Sequence, residues 1–319
     1  MKTLEPAAGQ RSKYDIFLER AKQAPSPRTI AVYPCDETSL RAAVDAAEAG
    51  LIEPVLVGPA EKIRSVARKY QLRISPFEIV NADESEEAAA KGVQLIKEGK
   101  GEVLMKGSLH TDELMRSVTS PATGLRTKRR ISHVFIMDVP GHEEALIITD
   151  AAINIFPDLE AKRDIIQNAI DLCTEFMPSP PRVAILSAVE TVTTKIPSTI
   201  DAAALCKMAE RGQITGGIVD GPLAFDNAVD PEAARIKGIK SEVAGRAQVL
   251  VVPDLEAGNM LAKNLTFLLK ADAAGLVLGA RVPIVLTSRA DSLRARMASC
   301  AAAALYADSR RRHTHMPEA

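Results

Sequence analysis

Residues 29–58 read TIAVYPCDETSLRAAVDAAEAGLIEPVLVG. The two ends, Thr29-Ile-Ala-Val-Tyr33 and Pro54-Val-Leu-Val-Gly58, are short apolar runs without alternation, the pattern of strands buried on both faces. Between them, residues 39–50 are Ala-rich and close on Gly50, the residue type expected just past a helix C-terminus. Strand, helix and strand in that order predict two parallel neighbours joined by a covering helix.

The same rhythm continues outward from this stretch. Further strands are expected at residues 103–106, 134–137, 146–149, 183–186, 217–219, 249–252 and 282–286, with helices at 86–98, 161–174 and 200–211. The fold class is therefore α/β, with mainly parallel sheets. In such sheets ligands meet the chain beyond the carboxyl ends of the strands. The loops to inspect are then residues 34–39, 107–112, 219–223, 253–259 and 287–292. A Pro, a Gly and clustered positive charge mark residues 120–130 (SPATGLRTKRR) as the expected domain boundary. The polar, basic end at 308–319 (DSRRRHTHMPEA) reads as a frayed tail rather than a histidine metal site.

Composition narrows the function. Lys and Arg number 40 against 41 Asp and Glu, a net charge of -1, which excludes a general positive field for nucleic acid. Aromatic residues are 3% with no Trp, which disfavours a base-stacking platform. No run of ~18 uncharged apolar residues predicts a membrane span. The first residues lack the apolar centre of a signal peptide, so a cytoplasmic location is expected. Cys35, Cys173, Cys206 and Cys300 are far apart and form no C-x-x-C, so each is expected to be a buried or half-buried free thiol.

Several segments carry candidate chemistry. Residues 282–292 (VPIVLTSRADS) read as a buried strand entering a helix. Ser288 and Asp291 have capping-box spacing and would in the plainest reading close that helix. Arg289 does not fit that reading, because a cation in a first turn opposes the helix dipole. It fits an anion docked at the helix N-terminus. Residues 105–116 (MKGSLHTDELMR) repeat the strand, Gly turn and helix order, with Thr111 the expected N-cap; Arg116 alone reads more as a solvated surface residue than a ligand, and Lys106 at the strand end is open in the same way. His110 is expected only to hydrogen-bond the backbone. In residues 253–259 (PDLEAGN), Gly258 and Asn259 sit where backbone can approach a ligand. The phosphate-loop, dinucleotide, H-E-x-x-H and G-x-S-x-G fingerprints are all missing, and no metal site is expected.

Taken in order, the segments MKGSLHTDELMRSV (105–118), GLRTKRRISHVFIMDVPG (124–141), ITDAAINIFPDLEAKRDIIQNAI (148–170), PSTIDAAALCKMAERGQITGGIVDGPLAFDNAV (197–229), EVAGRAQVLVVPDLEAGNMLAKNL (242–265) and PIVLTSRADS (283–292) resemble the phosphate acetyltransferase/phosphate butyryltransferase family, the butyryl branch most of all. The resemblance implies reversible transfer of a short acyl group between CoA and inorganic phosphate, with acyl-CoA and phosphate as substrates and no metal or redox cofactor. It implies two α/β/α domains, 128–272 inserted into 1–127 plus 273–319, an active cleft between them, and a homodimer.

Carried onto this sequence, the family's S-R motif makes Ser288 the group facing the CoA thiol and Arg289 a phosphate ligand. Arg116 becomes a phosphate or acyl-phosphate ligand. The acetyl branch places an aspartate seven residues after the motif serine, where this chain has Ala295, so Asp291 is the substitute candidate base. That departure leaves a non-catalytic CoA- or acyl-phosphate-binding protein as the alternative. A decarboxylating dehydrogenase of related architecture is a further one.

Overall fold

The structure is a computed structural model that describes residues 12–177, 179–286 and 291–314, with side chains through Arg312. The chain divides into two compact units, Asp15–Ile131 with Ala274–Ala319, and Met1–Tyr14 with Ser132–Ala273. The first unit opens with α1 (Lys13–Ala21), β1 (Arg28–Val32), α2 (Glu37–Glu48) and β2 (Glu53–Gly58). Local chemistry sets these limits. The Asp36 carboxylate accepts the Ser39 amide at 2.8 Å and caps α2. Gly50, at φ +73°, turns the chain back toward β2.

α3 (Ala60–Tyr70), β3 (Glu78–Asn81), α4 (Ser85–Lys97), β4 (Val103–Lys106) and α5 (Thr111–Thr119) follow. β1 lies between β2 and β4, parallel to both, and β3 adds outside β2. The chain thus runs outward from β1 through β2 to β3, then returns to β4 on the other side of β1. The direction of winding reverses between β1 and β4, the place where such sheets open a crevice for ligands.

The second unit contains β5 (Ser132–Asp138), β6 (Leu146–Thr149), α6 (Leu159–Cys173), β7 (Arg182–Leu186), α7 (Pro197–Glu210), β8 (Ile218–Leu223), α8 (Phe225–Val229), α9 (Pro231–Ile236), β9 (Val249–Val251) and α10 (Leu255–Leu268). β5 and β6 are antiparallel, whereas β6–β9, β9–β7 and β7–β8 are parallel. β9 enters between β6 and β7, which makes a second reversal of winding. Met137, Leu146, Ile148, Leu186, Leu250 and Leu265 lie in one buried apolar cluster of this unit. Tyr14 is fully buried, its hydroxyl 2.6 Å from the Ile136 carbonyl and 2.8 Å from that of Asp272. These contacts group the start of α1 with the second unit.

The chain then returns through β10 (Asp272–Leu278), β11 (Ile284–Val285) and α11 (Leu293–Thr314). β11 is parallel to β4 and antiparallel to β10. The strand expected at 282–286 is therefore only two residues of ladder. Residues 308–312, expected as part of a frayed tail, are instead the docked end of α11. Ser309 is buried, Arg310 donates to the Ala280 carbonyl at 3.1 Å, and Arg311 donates to the Pro25 carbonyl at 2.8 Å. β3 and β10 were not expected. One is a four-residue edge strand, and the other (DAAGLVL) opens on Asp, Ala, Ala and Gly, which carry little strand signal.

His133 on β5 has a pH consequence. It is buried, its ring meets Phe135 edge-on at 4.4 Å, and its Nδ1 has no partner among the described residues. Burial pushes its pKa from 6.5 down to about 4, against a weaker opposing pull from Asp150. The folded chain holds it neutral while the unfolded chain protonates it below pH 6.5. Its contribution is complete above that pH and is lost as pH falls toward 4. Urea unfolding should therefore show stability falling by about 1–2 kcal/mol from pH 6.5 to 5 through this group. A His133→Gln variant should lose that part of the slope; an unchanged slope would contradict this.

Candidate active site

At the first reversal of winding, the carboxyl ends of β1 and β4 are tied together. Gly107 N–H donates to the Val32 carbonyl at 2.8 Å and Ser108 N–H to the Tyr33 carbonyl at 2.9 Å. The Ser108 hydroxyl also donates to the Tyr33 carbonyl, at 2.9 Å, and accepts the Cys35 amide at 3.3 Å. No residue with a side chain fits at 107, because a Cβ there would stand 2.3 Å from the Val32 oxygen and 2.5 Å from the Tyr33 oxygen. Tyr33 has φ +54°, and the Lys62 ammonium lies 5.1 Å from its ring centre.

Lys106 ends β4 at this point, half-buried, with its ammonium 3.4 Å from the Gly107 carbonyl. The parallel register sets Val285 beside Met105, so β11 reaches its carboxyl end next to that of β4. Ser288 and Arg289 themselves lie outside the described residues. The chain is described again from Asp291, which is half-buried and whose carbonyl accepts the Arg296 guanidinium at 2.6 Å.

The helix beyond is closed by Ser292, and Ser288 lies outside the described residues. The Ser292 hydroxyl accepts the Ala295 amide at 3.1 Å. Asp291 precedes this cap and is not in the helical first turn, contrary to the capping expectation. Ala295, at the position of the family's aspartate, is buried in the first turn of α11. Arg296 was not singled out from the sequence. Its Nε is buried and has no partner among the described residues, while its other end fixes the Asp291 backbone. Its position one residue after Ala295 was the available signal.

Arg116 lies on α5 with 73% of its side chain exposed and pairs with Glu86 of α4 at 3.2 Å. α5 itself begins one residue earlier than expected: His110 is the N-cap, and the Glu113 carboxylate accepts its amide at 3.1 Å.

Gly258 and Asn259 belong to the second unit, at its own reversal of winding. The Asp254 carboxylate caps α10 by accepting the Ala257 amide at 2.9 Å. A Cβ on Gly258 would meet Val252 Cγ2 at 2.7 Å and Ala151 Cα at 3.1 Å, so the glycine is needed for close helix packing. Asn259 donates to the Ala151 carbonyl at 3.4 Å. The loop it touches is organised by buried Asp150, whose carboxylate accepts the amides of Ala152 and Ile153 at 2.9 and 3.0 Å and that of Asn154 at 3.2 Å.

None of the cysteines has the character of a nucleophile. Cys35, Cys173 and Cys300 are buried and Cys206 is half-buried, all free. Burial pushes Cys35 up to about 11, and Cys206 and Cys300 to about 12. Among the described residues no group of three or more His, Cys, Asp and Glu side chains is arranged to hold a metal ion. No helix among them is long and apolar enough to cross a membrane.

The arrangement offers the Lys106 ammonium where the ends of β1 and β4 are joined and the winding of the sheet reverses. Comparison with known proteins gives the family. Residues 83–304 match the family described as phosphate acetyl/butaryl transferase. A phosphate acetyltransferase of Rhizobium meliloti is 72% identical over 95% of this chain and 96% of its own length. A phosphate butyryltransferase of Clostridium acetobutylicum is 42% identical over 86% of this chain and 91% of its own. The crystal structure of a phosphotransacetylase from Streptococcus pyogenes superposes with a TM-score of 0.80 at 25% identity, covering 93% of this chain and 99% of that one. The chain belongs to the phosphate acetyl/butaryl transferase family, and it is an acyltransferase.

The close approach at residue 107 is directly testable. Gly107→Ala should destabilise the first unit by about 2 kcal/mol or more, as strain at a packed backbone contact does. A urea midpoint equal to that of the unsubstituted protein would refute the constraint.

Proposed function

We propose that this chain moves a short acyl group reversibly between CoA and inorganic phosphate, with acetyl the favoured group and butyryl and propionyl as further candidates. The observation that carries the proposal is the ordered set of family segments along the chain, with 72% identity to a phosphate acetyltransferase across nearly the whole length. A phosphate oxygen attacks the thioester carbonyl carbon, the carbon–sulfur bond breaks, and the phosphate proton ends on the departing CoA sulfur. No metal or redox cofactor enters this balance.

Both reactants are anionic, so cations and fixed dipoles must hold them together and stabilise the charge that develops on the carbonyl oxygen. Arg289 is assigned to phosphate and Ser288 to the CoA sulfur, and Lys106, which ends β4, to substrate binding. Arg116 is assigned to phosphate or acyl phosphate. Its exposed pair with Glu86 is worth ~1 kcal/mol at most, so releasing it toward a substrate costs little. Gly258 and Asn259 are assigned to substrate contact from the second unit. Asp291 is the candidate acceptor for the CoA thiol proton in the direction of thioester synthesis, since Ala295 has no proton to exchange. The working form is read as a cytoplasmic homodimer, as the resemblance implies.

Purified protein should release CoA thiol from acetyl-CoA only when phosphate is present, with butyryl-CoA and propionyl-CoA as comparisons. One methylene in an apolar pocket discriminates by about 1–3 kcal/mol, so activity should extend beyond one chain length. Arg289→Ala should raise the phosphate requirement and lower turnover more than tenfold, about 1.4 kcal/mol or more of lost stabilisation. CoA binding without turnover on any of these thioesters would overturn the enzymatic reading, and unchanged kinetics would remove Arg289 from the site.

A further inference from the structure

We propose that Lys62 and Tyr33 form a binding point in the first unit for a nucleotide phosphate of CoA. This rests on the acyl-transfer reading above and names two residues to which that reading gives no part. Tyr33 is the residue after β1, and Lys62 is the third residue of α3, the helix that follows β2. β1, β2 and β4 are parallel, so both residues stand at the carboxyl ends of the strands, the edge at which β4 ends on Lys106. This is where the winding reverses and such sheets receive ligands.

The pair is fixed from the Tyr33 side. The Tyr33 amide donates to the Val57 carbonyl of β2 at 2.6 Å. The Tyr33 carbonyl accepts the Ser108 amide, the Ser108 hydroxyl and the Cys35 amide, each at 2.9 Å. These bonds hold a tyrosine at φ +54°, a left-handed conformation that a bulky residue rarely adopts. Its half-buried ring carries the Lys62 ammonium 5.1 Å from the ring centre, and the ammonium donates to the hydroxyl at 3.4 Å.

Lys62 is badly placed for a charge that only faces water. A cation in the first turn opposes the dipole of its own helix. The nearby carboxylates are engaged elsewhere. Glu61 pairs with Arg64 at 2.7 Å, and Asp36 accepts the Ser39 amide and hydroxyl at 2.8 and 2.7 Å. Among the described residues no carboxylate forms an ion pair with Lys62. Burial raises the Cys35 pKa and the Lys62 charge works against it, so that charge is felt beside the end of β1. An ammonium seated on an aromatic face with no counter-charge of its own is suited to a phosphate.

Position in the sheet decides which phosphate. β1 and β4 stand between β2 and β11. The end of β1 is two strand spacings from β11 and the end of β2 is three, or about 10 and 14 Å. The S-R segment, assigned to inorganic phosphate and the CoA sulfur, follows β11 in the sequence. Lys62 is therefore remote from the strand that leads to the reacting groups. CoA has a second anionic end at that kind of remove, because its pantetheine arm separates the thiol from the nucleotide phosphates.

Initial rates with acetyl-CoA and phosphate varied in turn test this. Lys62→Gln should raise the KM for acetyl-CoA about tenfold, the loss of one charged contact, with kcat and the KM for phosphate changed less than about twofold. Lys62→Arg, which keeps the charge, should hold the acetyl-CoA KM within about threefold of the unsubstituted value. A merely structural role would not move one KM alone, nor be rescued by arginine. An unchanged acetyl-CoA KM in Lys62→Gln, or a rise in the phosphate KM instead, would overturn the proposal and leave the acyl-transfer reading intact. An unsubstituted protein without phosphate-dependent release of CoA would overturn both.

Discussion

The contact on which the rest of the first unit depends is the one between Gly107 and the backbone oxygens that end β1. Without a side chain at 107, β4 can deliver Lys106 and Ser108 against Val32 and Tyr33, and the two strand ends close to hydrogen-bonding distance. β11 pairs beside β4 in parallel, so the two strands end on the same side of the sheet. The second unit uses the same device, with Gly258 letting α10 settle on Ala151 and Val252 and so placing Asn259.

Charge follows the same local logic. The whole chain is nearly neutral, yet its reaction needs cations at one place. Lys106 sits where β4 ends, and Arg296 fixes the backbone at Asp291. Because Ser292 closes α11, Asp291 does not cap the helix. The cysteine nearest the crevice, Cys35, is kept as a neutral thiol by its burial. Chemistry at this site is then left to oxygen, nitrogen and the substrates' own groups.

Much of this was legible in the sequence. Continuous apolar runs at 103–106 and 146–149 matched β4 and β6 to the residue, because strands buried on both faces leave an unmixed signal. β3 and β10 left no such signal, one being a short edge and the other diluted by Ala and Gly. The end of α11 was read as a tail because its Arg-rich composition looks solvated. Only the fold shows that Arg310 and Arg311 have backbone carbonyls to satisfy. The candidates Lys106, Gly258 and Asn259 are marked in the sequence only by their place at or after apolar strands. The exposure of Arg116 goes with a partner distant in sequence, Glu86, and the hold of Arg296 on the Asp291 carbonyl depends on where α11 starts. Spacing alone could not reveal them.

The claim at the centre of this account is that phosphate itself is the nucleophile that accepts the acyl group. The most direct measurement is mass analysis of the product formed from acetyl-CoA and phosphate labelled with heavy oxygen. The account predicts acetyl phosphate that keeps all of the labelled oxygens of the phosphate, released together with free CoA. Free acetate formed at a rate independent of phosphate, with the label left in inorganic phosphate, would contradict it.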